Sequence, residues 1–435
     1  MRLTIEKVIY GGQGLARLPA DDAARGGLSV FVPFTLPGET VEAEMIQEHR
    51  GYSVGKVRQI VDASEFRVTP PCPWFATCGG CQLQHGAYSY QVELKREMLR
   101  ESLTRAGVRD LPEVSLLVGE PLRYRNRVRL QLQTRPEFSM GYRQAKSHRM
   151  TAIAGCPIAA PLLEQCIVVV RTLGTGGVVP VDAQEIEMFT NHDQSELFVT
   201  IWARPHAGKR EETYPMFFES LQREIQQLVG GQMVVTDQGK ARSSRGPLQW
   251  GRQSVNYRVA GREYTVSAGS FFQVNCTLLD KFVAAVTGDE SGALTWDLYA
   301  GVGLFSAALA DRFQHVTAVE SSAAACKDLG HNLRGRQAEY VQASTLNFLR
   351  HAVERRQPAP DLILLDPPRA GTGVETAKML AAVGPQRIVY VSCDPATLGR
   401  DLAALIQSGY RLLGLHLVDM FPQTYHMETI ATLQR

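Results

Sequence analysis

Val389-Tyr390-Val391-Ser392-Cys393-Asp394-Pro395 is the stretch on which the fold turns. Ile388 to Val391 read as a buried strand, and the Asp-Pro step beyond them forces a turn. Residues Ala396-Thr397-Leu398-Gly399-Arg400-Asp401-Leu402-Ala403 then read as a helix. Strand, turn and helix are the parts of an open α/β sheet, which holds its ligands at the carboxyl ends of its strands. Cys393 falls at such an end. The N-terminus of the following helix should favour thiolate, and a free thiol of pKa about 8.5 needs only a modest downward shift to become a strong nucleophile. The competing reading is a small buried hydrophobe, since most intracellular cysteines are inert packing.

Upstream, Leu362-Ile363-Leu364-Leu365 is a second buried strand, delivering Asp366-Pro367-Pro368-Arg369 to the same sheet edge. The two prolines hold that backbone extended. Farther back, Leu294-Thr295-Trp296-Asp297-Leu298-Tyr299 is a strand, Ala300-Gly301-Val302-Gly303 a tight loop, and Leu304 the start of a helix. The next strand, His315-Val316-Thr317-Ala318-Val319-Glu320, ends in an acid nineteen residues past Gly301. That is a nucleotide-binding βαβ pattern, with glycines admitting the ligand to the backbone and the acid accepting from ribose hydroxyls. Ser306 replaces the third glycine of the dinucleotide fingerprint, so the pattern predicts a compact adenosyl ligand without a pyrophosphate. Downstream, Leu415 to Met420 and Ile430 to Leu433 close the sheet, with Glu428 read either as a reacting acid or as a surface or capping one.

With 435 residues the chain should form two to four domains. A net charge of +2 excludes a global polyanion-binding field. Eight Lys/Arg against Glu137 alone lie between Arg123 and Arg149, and six with no acid between Gln238 and Arg262. Interleaved with Tyr124, Phe138, Tyr142, Trp250 and Tyr257, these stretches suit a nucleic-acid groove; solvated basic faces are the bland alternative. The first residues lack the apolar core of a signal peptide, and no uncharged run reaches transmembrane length. Eight cysteines in such a chain argue for metal or catalysis in a reducing compartment, hence a cytoplasmic protein without a membrane.

Residues 1–62 read as short strands of an OB-like barrel, with an SH3-like barrel fitting equally well on length. Cys72, Cys78 and Cys81 form a tight triplet. Cys156, followed by proline, is the leading fourth thiolate, ahead of Cys166 in its apolar run. Zinc sites usually carry two Cys-x-x-Cys pairs, so the pattern suits iron–sulfur ligation better. His85 is a possible competing ligand. Tyr88 to about Ala106 reads as one amphipathic helix ended by Gly107. From 112 to 265 strands and loops alternate, and periodicity leaves open both the topology and whether Ile167 to Val170 is helix or strand.

Several of these motifs occur in one order: Ser270-Phe271-Phe272-Gln273-Val274-Asn275, Asp297 to Gly303, Leu365 to Gly371, Ser392 to Leu398, and Asp419 to Thr429. Together they closely resemble the RNA 5-methyluridine methyltransferases. Gly11-Gly12-Gln13-Gly14 and Leu36-Pro37-Gly38-Glu39 resemble the TRAM domain of the rRNA-modifying branch, and the cysteines resemble that branch's [4Fe–4S] site. The resemblance implies a Rossmann-like α/β methyltransferase domain over 266–435, a TRAM barrel over 1–62 and a central α+β iron–sulfur domain over 63–265, whose helix at about 88–106 packs on the catalytic domain. It implies Cys393 as the nucleophile adding to uracil C6 and Glu428 as the base taking the C5 proton. Gln273, Tyr299, Glu320 and Asp366 match positions lining the S-adenosyl-L-methionine pocket, and Cys72, Cys78, Cys81 and Cys156 the cluster ligands. The implied substrate is 23S rRNA, with tRNA the alternative, for a monomeric enzyme. Two departures stand out: Leu304 where some members carry asparagine, and Asp394 where asparagine is frequent; a carboxylate there would raise the thiol pKa unless hydrogen-bonded away. Rival readings are a methyltransferase for another base, a non-catalytic iron–sulfur RNA-binding protein, and a small-molecule methyltransferase.

Overall fold

The structure is a computed structural model that describes residues 1–18, 27–145, 147–205, 210–237, 240–241 and 247–435. The N-terminal unit is a six-stranded sheet of β1 (Arg2–Thr4), β2 (Lys7–Ile9), β3 (Gln13–Arg17), β4 (Ser29–Pro33), β5 (Thr40–Glu48) and β6 (Tyr52–Asp62), in the order β1-β5-β6-β4-β3-β2. Its strands alternate as a half-buried sheet must: Val30 and Val32 of β4 and Val41 and Ala43 of β5 point inward to Leu3, Ile5 and Ala16. Three register shifts between β5 and β6 bend that pair, the usual way a short sheet curls.

Helix α1 (Tyr88–Arg105) follows the cysteine triplet and buries Val92, Leu94, Met98, Leu99 and Leu103 along one stripe. It lies against the helix that begins after Cys393. Gly399 permits this, because a Cβ there would fall 2.6 Å from the Ala106 Cβ. Strand β7 (Val114–Leu117) then joins the catalytic sheet at its edge.

A central sheet comprises β8 (Arg127–Gln133), β9 (Ser139–Arg143), β10 (Met150–Ala152), β11 (Ala183–Thr190), β12 (Leu197–Ala203), β13 (Leu228–Asp237), β14 (Lys240–Ala241) and β15 (Leu248–Gly251). Helices α2 (Pro161–Thr175) and α3 (Arg210–Glu224) pack on it. The run Ile167 to Val170 therefore lies in helix α2, and the stretch 112–265 holds helices as well as strands and loops. A hairpin of β16 (Ser254–Val259) and β17 (Arg262–Ser267) leads into the C-terminal unit.

There the elements run α4 (Leu279–Thr287), β18 (Gly292–Leu298), α5 (Ser306–Leu309), β19 (Phe313–Glu320), α6 (Ala323–Asn332), β20 (Ala338–Gln342), α7 (Thr345–Glu354), β21 (Leu362–Leu365), α8 (Val374–Val383), β22 (Arg387–Ser392), α9 (Pro395–Gln407), β23 (Arg411–Val418) and β24 (Glu428–Gln434). The sheet order is β20-β19-β18-β21-β22-β24-β23-β7, parallel from β20 to β22, with β24 antiparallel to both its neighbours. The order reverses between β19 and β21 around β18, which opens a crevice at the carboxyl ends of β18, β19 and β21. Apolar side chains cover both faces of this sheet.

Candidate active site

Strand β22 ends at Ser392, so Cys393 sits in the bend before α9. Strands β22 and β24 pair antiparallel with Ser392 against Thr429, and the next step of that register sets Glu428 across from Cys393. Cys393 is half-buried, whereas Glu428 is only 3% exposed. Strand β21, paired with β22, carries Asp366 and Arg369 to the same end. Burial, and then the negative charge of Asp366, hold the Glu428 carboxyl well above the usual carboxylate range, with Arg369 working against them. The Cys393 thiol is pushed up to about 12 by burial and then by Glu428; Arg369 opposes, while Asp366 and Asp394 add. Burial and the neighbouring Asp297 raise Asp366 to about 7.

The expected thiolate at the start of α9 is therefore not what the structure provides. Asp394 occupies that helix end: its Oδ1 accepts from the backbone N–H groups of Ala396 at 3.0 Å and Thr397 at 2.9 Å. The amides that could have stabilised a sulfur anion face a carboxylate instead. Burial, Glu428, Asp366 and Asp394 disfavour the thiolate of Cys393, and Arg369 opposes them.

The residues expected to line the donor pocket lie at and beside the carboxyl ends of β18, β19 and β21. Gln273, 5% exposed, donates from Nε2 to Asp366 Oδ2 at 3.4 Å. Tyr299 follows β18 with φ 63°, an uncommon conformation for a bulky residue, and turns the chain into the glycine loop. Gly303 has φ 89°, a backbone conformation that side-chain-bearing residues rarely adopt, which favours glycine where the loop passes α6. Glu320, at the end of β19, accepts from the Gly301 N–H at 3.0 Å and the Ser322 N–H at 2.7 Å, which aims its carboxylate at the loop. Leu304 is 6% exposed and packs in the core behind the loop. Sequence reasoning passed over Asp297, whose carboxyl burial lifts to about 7 and whose Oδ2 accepts from the Ser306 hydroxyl. An acid inside the apolar strand Leu294 to Leu298 was the signal. Phe271, beside Gln273, leaves 68% of its surface exposed.

Cys72, Cys78, Cys81 and Cys156 line one cavity of about 370 Å³, together with Trp74, Phe75 and Tyr142. All four are free thiols, and burial raises each; negative charge on Cys156 would raise the other three further. Among the described residues, no group of three or more His, Cys, Asp or Glu is arranged to hold a single metal ion. Cys166 is buried in α2 away from this cavity, and His85 packs against the rings of both Phe34 and Phe75. The same cavity extends to Arg125, Arg129, Arg369 and His426.

The basic stretches are less cationic in space than along the chain. Arg129 and Arg143 pair with Glu185, Arg252 with Glu196, Arg258 with Glu263 and Arg262 with Asp311. Lys146, Arg242 and Arg245 lie outside the described residues.

The sheet order, the glycine loop and the acid after β19 define an S-adenosylmethionine-dependent methyltransferase. A family model described as tRNA (uracil-5-)-methyltransferase matches residues 218–435, and the TRAM domain model matches residues 1–57. An RNA methyltransferase of Aquifex aeolicus described as uncharacterized is 32% identical, the match covering 100% of this chain and 98% of that one. The 23S rRNA (uracil(1939)-C(5))-methyltransferase RlmD of Pectobacterium atrosepticum is 31% identical over 99% of this chain and 93% of its own. The crystal structure of Pyrococcus abyssi tRNA (uracil-54, C5)-methyltransferase in complex with S-adenosyl-L-homocysteine superposes with a TM-score of 0.77 at 25% identity, covering 100% of both chains. This chain belongs to the RNA uracil-5 methyltransferase family and carries a TRAM domain.

Proposed function

We propose that the protein methylates C5 of a uridine in 23S ribosomal RNA through a covalent bond between Cys393 Sγ and C6. The observation that supports this reading is the β22–β24 register, which pairs Ser392 with Thr429 and so brings the segments that carry Cys393 and Glu428 side by side, near enough for Glu428 to act on the thiol. Uracil C5 is a poor nucleophile. Addition of sulfur to C6 moves electron density onto C5 and the adjoining carbonyl, so C5 can attack an electrophile. S-adenosylmethionine, when bound, supplies a methyl group as that electrophile. Gln273, Tyr299, Glu320 and Asp366 would hold it, Glu320 through the ribose and Asp366 near donor and target base. The C5 proton passes to the Glu428 carboxylate, the C5–C6 double bond re-forms, and the thiolate leaves. Arg369 is the cation that favours the ionised form of both reacting groups.

The target base must leave its stack to reach the crevice, at a cost of a few kcal/mol, which contacts from the barrel and from Arg125 and Arg129 would offset. Cys72, Cys78, Cys81 and Cys156 would hold a [4Fe–4S] cluster that ties the triplet to the central domain and takes no part in the chemistry. We read the chain as a barrel over 1–62, a central iron–sulfur domain over 63–265 and a catalytic domain over 266–435. We also read it as a monomer in a reducing, cytoplasmic compartment, in keeping with its free cysteines. No helix among the described residues is long and apolar enough to cross a membrane. The ribosomal substrate rests on the full-length likeness to enzymes named for 23S rRNA; the solved relative named for tRNA supports a tRNA uridine as the second reading.

The test is incubation with labelled donor and total RNA from a methylation-deficient host, followed by mapping of the label. One 23S uridine should carry it, and Cys393→Ala should transfer none. Label on cytosine or adenine, or full transfer by Cys393→Ala, overturns the chemistry. Label in tRNA overturns only the choice of RNA.

A further inference from the structure

Tyr10 belongs to the N-terminal barrel, yet its hydroxyl lies 3.4 Å from the backbone oxygen of Cys393 and 3.3 Å from Asp394 Oδ2. Its ring meets Tyr425 edge-on, with centroids 5.3 Å apart. Tyr425 in turn packs on His426, at 4.1 Å between centroids, two residues before Glu428. One side chain thus touches both the strand end that carries the thiol and the loop that delivers the base.

The contact is built rather than incidental. Tyr10 opens the turn from β2 to β3, where Gly11 and Gly12 have φ of 112° and 76°. A Cβ on Gly12 would lie 2.8 Å from the Gln82 Cβ and 3.4 Å from the Tyr425 Cβ, so only glycine allows the turn to seat this deeply. Val8 of β2 is buried with Leu94 and Met98 of α1, and Lys7 pairs with Glu101 of the same helix. The barrel therefore docks with Tyr10 at a defined place.

We propose that Tyr10 is a positioning residue for the nucleophile, its hydroxyl fixing the Cys393–Asp394 step and sharing the Asp394 charge, so that the barrel tunes the thiol. The proposal rests on Cys393 being the reacting group. Asp394 caps α9 through Oδ1 and leaves Oδ2 for the phenol. Burial and Asp394 hold the Tyr10 phenol well above its usual range, so it stays a donor throughout the working pH. The charged groups facing Cys393 are Glu428, Arg369, Asp366 and Asp394; those facing Tyr10 are Asp394, Tyr425 and Arg369. Loss of the hydroxyl leaves the Asp394 carboxylate less shared, and the thiol then ionises at higher pH.

Tyr10→Phe keeps the ring and its edge contact. It should lower kcat about fivefold, the worth of one hydrogen bond, and leave KM for RNA unchanged. The pH midpoint for iodoacetamide alkylation of Cys393, read by peptide mass, should rise by about half a unit. Asp394→Asn retains the cap but removes the charge, so in that background Tyr10→Phe should no longer move the midpoint. A change confined to KM or RNA affinity overturns the proposal and makes Tyr10 an RNA contact. An unchanged kcat and midpoint overturn it, as does a general loss with a lowered melting temperature that persists beside Asp394→Asn. Full methyl transfer by Cys393→Ala would instead remove the nucleophile itself, whatever Tyr10→Phe does to alkylation.

Discussion

Among the described residues, a single cation stands against the negative charge around the Cys393 sulfur. Glu428, Asp366 and Asp394 all disfavour the Cys393 thiolate, and Arg369 alone among the groups acting on it favours ionisation. Arg369 acts in the same sense on Glu428. Both groups must be anions at some point in the proposed reaction, so one guanidinium supports two steps. Arg369→Gln should lower the rate of methyl transfer at neutral pH about tenfold, the effect of one pKa unit, and raise the alkylation midpoint of Cys393. Arg369→Lys should recover part of the rate, because the charge matters more here than a bidentate fork. A pH–rate profile that Arg369→Gln leaves in place would show that the guanidinium serves RNA binding alone. The effect of Asp394 on the thiol could be read along the chain; that of Arg369 could not, because it depends on which groups the guanidinium faces after folding.

The loop from Asp419 to Met427 brings Glu428 into register, and α1 holds that loop from behind. Lys95 and Asp419 are both fully buried, with Nζ 2.6 Å from Oδ1, and Lys95 also donates to the Phe421 carbonyl at 3.0 Å. Gln91 donates to Gln423 Oε1 and accepts from the Gln423 N–H, at a residue held at φ 70°. Tyr124 donates to the Pro422 carbonyl at 2.9 Å. Lys95→Met should destabilise the protein by about 3–5 kcal/mol in urea unfolding, because it strands a buried carboxylate, and should abolish methyl transfer with it. Lys95→Met combined with Asp419→Leu should regain most of the stability and little of the activity. Much of the element pattern was legible: the apolar runs ending in Tyr299, Glu320, Asp366 and Cys393 announced the sheet and its ligand edge. Lys95 was hidden because a lysine between Leu94 and Met98 reads as solvent-facing, and its partner lies 324 positions away. A comparable separation in sequence concealed β7, four residues that pair with β23.

On the scale of the whole molecule, the crevice concentrates acids that folding alone does not favour. Burial raises Asp297 and Asp366 from an ordinary value of 3.8 to about 7, and Glu428 is likewise held well above the usual carboxylate range. In the unfolded chain Asp297 and Asp366 ionise near pH 4 and in the folded protein near 7, so between those limits the native state binds more protons, and Glu428 acts in the same sense. Their contribution is most favourable below the unfolded pKa and is lost as pH rises through the folded one. The melting temperature of the free protein should therefore fall between pH 5 and pH 8, and Asp366→Asn should flatten that fall by removing one titrating group. The same variant should lose methyl transfer, since Asp366 faces Gln273 across the donor crevice. Stability and activity thus pull in opposite directions at one carboxyl, as expected where a site keeps unsatisfied charge for use with its ligands. A melting temperature that rises from pH 5 to pH 8 in the wild-type chain would mean that these acids are ionised and solvated in the free protein, and that the crevice stands open until substrate closes it.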